Sequence, residues 1–425
     1  MRRLVWLFAF VAAGLVLGAP GALAQDEDEE AAEAEAQEGP QGLTMQMSNN
    51  WMFTFAGNVN AFLTYTNGEP DEDDDVDDPG TVTGGLINAN EQTSRIRTGL
   101  LPAFAVFDAK GREGNTDLGV HFGFAPQIQT AGVHDNFGNG TQAGAQIDMR
   151  QVFATFGGEW GQILFGREIG LYQRQNILTD MTLFGAGSSG GAQGAGGTTL
   201  GRIGFGYIYP NFNAQMTYST PAGRPFQLSL GLFDPSFIGD FEVTKTPRLE
   251  GELTYSGEQF LFWLGGLMQN AELALTEGEA ESDDVTAVGG SGGIRVNFGG
   301  LALVGSGYVG EGIGTTLMFN LAHDDAGNER RSYGYIGQAT YTAPGSQWTF
   351  GASYGDSRLE LTDEEEDADL NGDLVESNRS IVGTIVYQAT ASLKAVLEYA
   401  HSESESHDNT TIKEDQGAFG FMLFF

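Results

Sequence analysis

Apolar and polar residues alternate with a period of two along most of the chain. The segment 51–65 puts Phe53 and Leu63 on one face and Asn58 and Thr64 on the other. Alternation at this period is typical of a strand whose two faces meet different environments. Similar segments of about 8–12 residues recur to the C-terminus, and strands of this length cross a bilayer when they are tilted.

The connections between these strands alternate between short turns and long polar segments. The short turns lie at 108–111, 157–161, 256–259, 298–300 and 343–346, and the long segments at 66–93, 130–145, 271–283, 311–330, 359–375 and 403–414. This asymmetry is typical of a closed transmembrane β-barrel, in which an even number of strands puts both termini on the short-turn side. We therefore predict an all-β, antiparallel barrel of about sixteen strands, with one much longer loop at 168–210.

The last strand is predicted from the terminal sequence GAFGFMLFF. Its alternate positions are Phe419, Phe421, Leu423 and Phe425 on one face and Ala418, Gly420 and Met422 on the other. We expect the first set to face lipid and the strand to pair with 51–65, which leaves the sheet without a free edge. The small inner residues predict an open lumen beside this strand.

The N-terminus has the pattern of a secretory signal peptide. Arg2 and Arg3 precede an apolar run of about 16 residues, shorter than the ~20 of a membrane helix, and Ala-Leu-Ala at 22–24 is a suitable cleavage site. We predict a signal peptide at 1–24, with a membrane anchor as the alternative. Residues 25–50 begin with an acidic run and predict a disordered segment, or a short acidic helix, before the barrel at 51–425.

The composition excludes thiol chemistry and disulfides, since the 425-residue chain contains no cysteine. Its formal net charge is −37, and its 63 glycines and 11% aromatic residues favour strands and turns. Many carboxylates fall in the loop runs 69–80, 277–284 and 360–373. These runs are interpreted as solvated loops, or as sites that bridge anionic lipopolysaccharide through divalent cations.

Charged residues within the strands are expected to face a wet lumen. An arginine or lysine that faces lipid costs about 2–4 kcal/mol near the bilayer midplane. The predicted pore-lining residues are Arg95, Arg97, His121, Arg150, Arg167, Arg248, Glu250, Glu252, Lys394 and Glu398, with Glu168, Arg174, Asp180 and Arg202 from the long loop. They either solvate a polar lumen or form a basic wall of Arg95, Arg97, Arg150 and Arg167 with a mild anion preference.

The segment 95–107 also predicts a strand. It puts Arg95 and Arg97 on one face and Ile96, Leu100, Phe104 and Val106 on the other. We expect the second face to meet lipid.

The chain resembles the sixteen-stranded trimeric porins of Gram-negative outer membranes. The resemblance rests on the signal peptide, the opening strand TFAGNVNAFLTY at 54–65, the segment VFATFGGEWGQILFGR at 152–167, YSTP at 218–221 and the terminal Phe425. It implies an outer-membrane barrel assembled as a homotrimer, in contact with lipopolysaccharide and with the outer-membrane assembly machinery. Phe419, Phe421, Leu423 and Phe425 then correspond to the family's assembly signal.

The resemblance also implies that the third loop, here 168–210, folds into the barrel and narrows it. The family commonly sets arginines against several carboxylates on this loop. This chain has few, chiefly Glu168 and Asp180, beside Arg174 and Arg202. A cation-selective constriction is therefore not implied.

One acidic loop has the beginning of a calcium-binding pattern. Asp367, Asp369 and Asn371 stand at positions 1, 3 and 5, with Asp373 as a further oxygen donor. Alternate oxygens at this spacing suit a hard cation, although Asn378 replaces the usual glutamate at position 12. No cofactor is otherwise predicted.

The functional prediction is a water-filled porin for the passive diffusion of small hydrophilic solutes and ions. A substrate-selective channel and a non-channel barrel whose acidic loops bind a partner or divalent cations are the alternatives. Enzyme activity is not predicted, because the five histidines show no metal-binding spacing and the chain contains no cysteine.

Overall fold

The computed structural model of the chain describes residues 42–47, 50–69, 82–87, 92–128, 147–190, 198–236, 238, 246–272 and 284–425. The predicted signal peptide, most of the acidic segment at 25–50 and most of the acidic runs 69–80 and 277–284 lie outside these residues. None of the helices in the described residues is long and apolar enough to span a membrane.

The described chain is almost entirely β-structure. Its strands are β1 (Leu43–Gln46), β2 (Met52–Glu69), β3 (Gln92–Arg97), β4 (Phe104–Glu113), β5 (Thr116–Pro126), β6 (Ile147–Gly158), β7 (Gly161–Ile169), β8 (Phe212–Ser219), β9 (Phe226–Phe233), β10 (Arg248–Ser256), β11 (Phe260–Glu272), β12 (Asp284–Phe298), β13 (Leu301–Glu311), β14 (Arg331–Thr342), β15 (Trp348–Leu359), β16 (Val375–Gln388), β17 (Leu393–Ser406) and β18 (Thr411–Phe424). Two short helices, α1 (Arg174–Thr179) and α2 (Asp363–Ala368), lie in loops.

The sheet is closed and antiparallel. Successive strands from β4 to β18 pair with one another, and β18 pairs with β2 through Phe419↔Leu63 and its neighbours. Strands β3 and β4 both pair with β2 and form two parts of one barrel strand, while β1 is a short addition to the start of β2. The wall therefore has sixteen barrel strands, which confirms the predicted fold class.

The two faces of β18 differ as its alternation predicts. Phe419, Phe421, Leu423 and Phe425 are 46%, 50%, 47% and 37% exposed, whereas the residues between them are buried. This outward row continues the apolar rows of the neighbouring strands. The wall thus presents an apolar outer surface, as a lipid-facing barrel requires.

The predicted open lumen beside β18 is wrong. Ala418, Met422 and Phe424 belong to a buried apolar cluster that includes Ala186 from the long loop between β7 and β8. The Phe424 and Phe184 rings meet edge to face, with their centroids 5.7 Å apart. Small inner side chains therefore make room for the loop rather than for water.

Three predicted boundaries also need correction. The turn expected at 108–111 lies inside β4, and the chain turns instead at residues 114–115. The long loop expected at 403–414 is reduced to residues 407–410, since β17 and β18 extend beyond the length that crosses the membrane. Within the segment predicted to be disordered, Leu43–Gln46 forms β1.

The predicted strand over 95–107 is interrupted. Residues 98–103 separate β3 from β4, and the Leu100 N–H donates to the Gly185 carbonyl at 2.9 Å. The interruption shifts the alternation by one residue. Ile96 therefore remains outward and 65% exposed, whereas Leu100, Phe104 and Val106 are buried, contrary to the expectation that all four face lipid.

Candidate functional site

The described part of the long loop between β7 and β8 lies inside the barrel. We call residues 170–211 the inserted segment, of which the structure describes 170–190 and 198–211. Its backbone and side chains bond to lumen-facing side chains on β10, β11, β14 and β17. Because these strands lie on different sides of the ring, the inserted segment crosses the lumen.

The start of the inserted segment is held by Glu250 on β10. Its Oε2 atom accepts the backbone N–H groups of Leu171 and Tyr172 at 2.7 and 2.9 Å. Its Oε1 atom accepts from Arg248 Nε at 2.8 Å, with both side chains fully buried. The carboxylate therefore balances a buried guanidinium and fixes the backbone at the same time.

Helix α1 is fixed to the same side of the wall. Arg174 forms an ion pair with Glu252 on β10. Asn176 accepts a hydrogen bond from Trp263 Nε1 at 3.0 Å and donates to Ser306 Oγ at 3.0 Å. The helix thus bonds to β10, β11 and β13 through side chains that point into the lumen.

A second carboxylate, Glu398 on β17, holds the inserted segment at another point of the ring. Its Oε2 atom accepts the N–H groups of Ala186 and Gly187 at 2.6 and 2.8 Å. A Cβ atom on Gly185 would stand 2.1 Å from Glu398 Oε1. Glycine at 185 is what lets the backbone approach the carboxylate this closely.

Asp180 joins the two arms of the inserted segment. It accepts from the Thr182 N–H at 2.8 Å, from the Tyr207 hydroxyl at 2.7 Å and from the Arg202 N–H at 3.2 Å. Burial raises the pKa of Asp180 above its ordinary value, against these hydrogen bonds. Its role in the structure is to hold the fold of the inserted segment.

Arg202 is also enclosed rather than exposed to the lumen. It is 0% exposed, and its Nη2 atom donates to the Ser380 carbonyl on β16 at 2.7 Å. Burial lowers the pKa of Arg202 to about 10. The guanidinium therefore acts as a contact between the inserted segment and the wall.

The predicted basic wall does not form. Arg95 and Arg97 share the lumen-facing row of β3, but Arg97 is buried and donates to the Thr198 carbonyl of the inserted segment. Arg150 is paired with Asp148 at 2.7 Å. Only Arg95 of these three residues is exposed.

Arg167 lies on the outer face, contrary to the prediction. It pairs with Val152 on β6 and Ala214 on β8, in the same row as the outward, exposed Phe165. Its position near the end of β7 places it at the long-loop rim, where a cation costs little. The alternation in 161–169 therefore puts Glu168, not Arg167, on the lumen side.

His121 and Glu168 belong to one chain of hydrogen bonds across four strands. His121 Nδ1 lies 2.9 Å from Asp108 Oδ1, and its Nε2 lies 3.3 Å from Gln151 Oε1. Gln151 Nε2 donates to Glu168 Oε2 at 3.0 Å, and the His121 ring stacks on Phe153. These polar groups are bonded to one another within the wall.

Sequence reasoning missed the lumen-facing cations Lys110, Arg112 and Arg295. Arg295 lies between Ile294, which is 45% exposed, and Val296 on β12, so simple alternation in GIRVNF could have found it. Lys394, which was predicted, lies with its Nζ atom 4.1 Å from the Phe184 ring centroid. The three missed cations and Lys394 all lie near short turns.

The predicted calcium ligands are not brought together. Asn371 donates to Glu365 Oε1 at 2.5 Å, and Asp373 accepts from Thr83 Oγ1 at 2.6 Å. Asp367 lies in α2, and Asp369 is its C-cap residue. No group of three or more His, Cys, Asp or Glu side chains in the described part of the chain could hold a metal ion.

Comparison with known proteins gives a family and a fold. A family model described as Gram-negative porin matches residues 9–407. No curated protein matches the chain. The solved structures that resemble it include the outer-membrane channel DcaP of Acinetobacter baumannii, with 15% identity, a TM-score of 0.64 and coverage of 90% of this chain and 99% of that one.

Two further structures have the same fold at similarly low identity. The anion-selective porin from Comamonas acidovorans has 12% identity and a TM-score of 0.56, covering 88% of this chain and 100% of its own. OmpF of Salmonella typhi, solved with daunomycin, has 14% identity and a TM-score of 0.55, covering 90% and 100%. At this identity the likeness supports the barrel and not a shared solute.

Proposed function

The chain belongs to the Gram-negative porin family and forms a diffusion channel in the outer membrane, and we propose that its inserted segment is the constriction through which small hydrophilic solutes pass. We further infer that the protein acts as a non-enzymatic channel. One observation carries this proposal. The described parts of the inserted segment, 170–190 and 198–211, cross a closed barrel, and Glu250 and Glu398 fix the first of them to the wall.

The constriction is expected to have a fixed shape. Each anchoring carboxylate accepts two backbone N–H groups, and hydrogen bonds to a charged acceptor contribute about 1.5–3 kcal/mol each. The apolar cluster that joins Leu183 and Ala186 to the wall adds burial on the side of β18. A segment held in this way limits solute size by its position, without a separate gate.

We also propose a homotrimer that contacts lipopolysaccharide and the assembly machinery. A structure with this fold is described as the trimer form of OmpT from Vibrio cholerae. In this chain the outward rings of Phe53, Phe55, Phe107 and Phe124 form a continuous group, with the Phe55 and Phe107 centroids 4.9 Å apart and Phe425 beside them. This aromatic surface is our candidate for the contact between copies.

Planar-bilayer recording of the purified protein tests the proposed function. We expect stepwise conductance, in groups of three steps for a trimer, and exclusion of neutral sugars above a threshold size. An absence of conductance from correctly folded protein would contradict the channel. For the trimer, Phe107→Ser should weaken the oligomer in unheated electrophoresis more than Leu230→Ser on β9, which is also outward and 53% exposed.

A further inference from the structure

We propose that the short-turn end of the lumen is an anion-attracting vestibule whose principal fixed charges are Arg295 and Lys394. This inference rests on the proposed channel function. It locates the ionic preference of the channel at the short-turn end of the lumen. It differs from the expectation of a basic wall around the inserted segment, which the structure does not form. The vestibule is defined here by the two lumen-facing positions nearest the short turn of each barrel strand.

The charges at these positions are strongly biased. In the described strands they are the cations Lys110, Arg112, Arg295 and Lys394 and a single carboxylate, Asp117. Asp117 faces Arg112 across the β4–β5 pair at 3.6 Å, and both side chains are about half exposed. The other vestibule positions hold uncharged residues such as Thr254, Thr340 and Gln388.

Arg295 lies on the short-turn side of helix α1. It is half-buried on β12, opposite Leu261 and Val304, and its Nε atom donates to Asn297 Oδ1 at 3.2 Å. The next lumen-facing row toward the loops contains Trp263, whose Nε1 atom bonds to Asn176 in α1. The Arg295 guanidinium therefore lies one lumen-facing row from the contact that fixes α1, toward the short turns.

Lys394 lies on the short-turn side of the other anchor. It is half-buried on β17, two lumen-facing positions before Glu398, the residue that holds Ala186 and Gly187. Its Nζ atom is 4.1 Å from the Phe184 centroid and 5.3 Å from the Phe424 centroid. The two rings fix the ammonium group in position, because a cation is attracted to aromatic faces.

These positions contrast with the charged residues around the inserted segment. There, Arg248 and Arg174 are paired with Glu250 and Glu252, and their fields largely cancel at a distance. In the vestibule the cations exceed the carboxylates on lumen-facing positions. A charge excess on the wall of a narrow aqueous passage raises the local concentration of the opposite ion.

The size of the effect follows from screening. A unit charge about 7 Å from a permeating ion in unscreened water changes the concentration of that ion by about threefold, and the Debye length of about 10 Å at 0.1 M salt leaves about half of the interaction energy, or a nearly twofold change. Chloride and potassium change in opposite directions, so their ratio changes by about threefold. At 1 M salt, with a Debye length of about 3 Å, the effect should nearly vanish.

Reversal potentials in a KCl gradient around 0.1 M test the proposal. We expect Arg295→Gln and Lys394→Gln each to reduce the chloride-to-potassium permeability ratio by about threefold at most, and the double variant to reduce it further. Arg295→Lys and Lys394→Arg keep the charge and should keep the ratio. A ratio that is kept in these two variants would show that the charge of the side chain determines the ratio, and not the packing of Lys394 against Phe184.

Arg224→Gln is the matched control. Arg224 is exposed in the turn 221–225, on the same side of the membrane but outside the lumen-facing rows. Its loss removes one positive charge and should leave the ratio unchanged. A double variant Arg295→Gln/Lys394→Gln that conducts with the wild-type ratio would overturn the vestibule while leaving the channel function intact, whereas a wild type that never conducts would overturn both.

Discussion

The two ends of the lumen use charged residues in different ways. Around the inserted segment, near the middle of the barrel and toward the long loops, Glu250, Glu252 and Glu398 accept hydrogen bonds from backbone groups and from arginine. At the short-turn end, Arg295 and Lys394 occupy a wall with almost no carboxylates. Charges of the first kind determine where the inserted segment lies, and those of the second kind give the wall of the short-turn end an excess of positive charge.

The difference between the two ends explains why the net charge of −37 does not predict the charge of the channel lining. Exposed carboxylates such as Glu364, Glu366 and Asp367 lie in the loop that contains α2, outside the barrel wall. They attract cations to the loop-side mouth within about one Debye length. The two mouths of one channel therefore have opposite charge.

The largest expected effect comes from removing an anchor of the inserted segment. Glu398→Ala deletes the acceptor of two N–H groups, each bond contributing about 1.5–3 kcal/mol, so detached states should become at least about tenfold more populated. We expect higher open-channel noise and higher single-channel conductance in bilayer recordings.

Glu398→Gln is the control for this experiment, since it keeps an acceptor oxygen and should lie between the wild type and Glu398→Ala. If Glu398→Ala conducts with wild-type noise and amplitude, the carboxylate does not hold the inserted segment. The anchoring role given to the carboxylates around that segment would then be wrong.

A smaller effect should distinguish the two faces of the wall. Arg95→Gln removes an exposed lumen-side cation at the long-loop end and should reduce the chloride-to-potassium permeability ratio by less than about twofold, because water and salt screen an exposed charge at the mouth. Arg167→Gln removes an outward cation and should leave the ratio unchanged. Equal shifts in the two variants would contradict the outward placement of Arg167.

The smallest effect on permeation is expected from Glu365 in α2. Burial opposes its ionisation, but hydrogen bonds from Arg330, the Thr362 N–H and Asn371 lower the pKa of Glu365 to about 2. A lowered pKa contributes stability above the unfolded value of about 4.3, and this contribution is lost as the pH falls toward 2. The loop should therefore stay folded at pH 5 and loosen near pH 2.

Hydrogen exchange at Leu370, whose N–H donates to the Glu365 carbonyl, would report this loosening. Glu365→Gln should exchange rapidly already at pH 7, and the exposed neighbour Glu366→Gln should behave as the wild type. Neither variant should change the permeability ratio by as much as Arg295→Gln. If Glu365→Gln did, the loops and the vestibule would not be independent.

The barrel was predictable from sequence because each strand repeats one local rule. Alternation along 51–65 and 417–425, together with short and long connections, was enough to give sixteen antiparallel strands and the place of the long loop. The outward rows then followed from lipid exposure alone. The interruption at 98–103 was missed because the contact that makes it, from Leu100 to Gly185, joins residues distant in sequence.

The lumen was harder to predict because alternation shows on which face of a strand a side chain lies but not which residue it contacts. It placed Glu250 and Glu398 inward, yet nothing in the local sequence shows that they bind Leu171 or Ala186. Arg167 was placed inward because a cation is costly toward lipid, and that argument fails at the long-loop rim, where the cost is small. Alternation alone would have placed Arg295 inward, since Ile294 and Val296 flank it on the outer face.

The asymmetry of the current–voltage curve tests the opposite charge of the two mouths most directly. With oriented channels at about 0.1 M salt, cations should enter through the acidic loop side and anions through the vestibule. The current should therefore be larger when the loop side is positive, and Arg295→Gln/Lys394→Gln should lose most of this asymmetry while still conducting. A wild-type asymmetry that is absent or opposite, or one that the double variant keeps unchanged, would contradict the account.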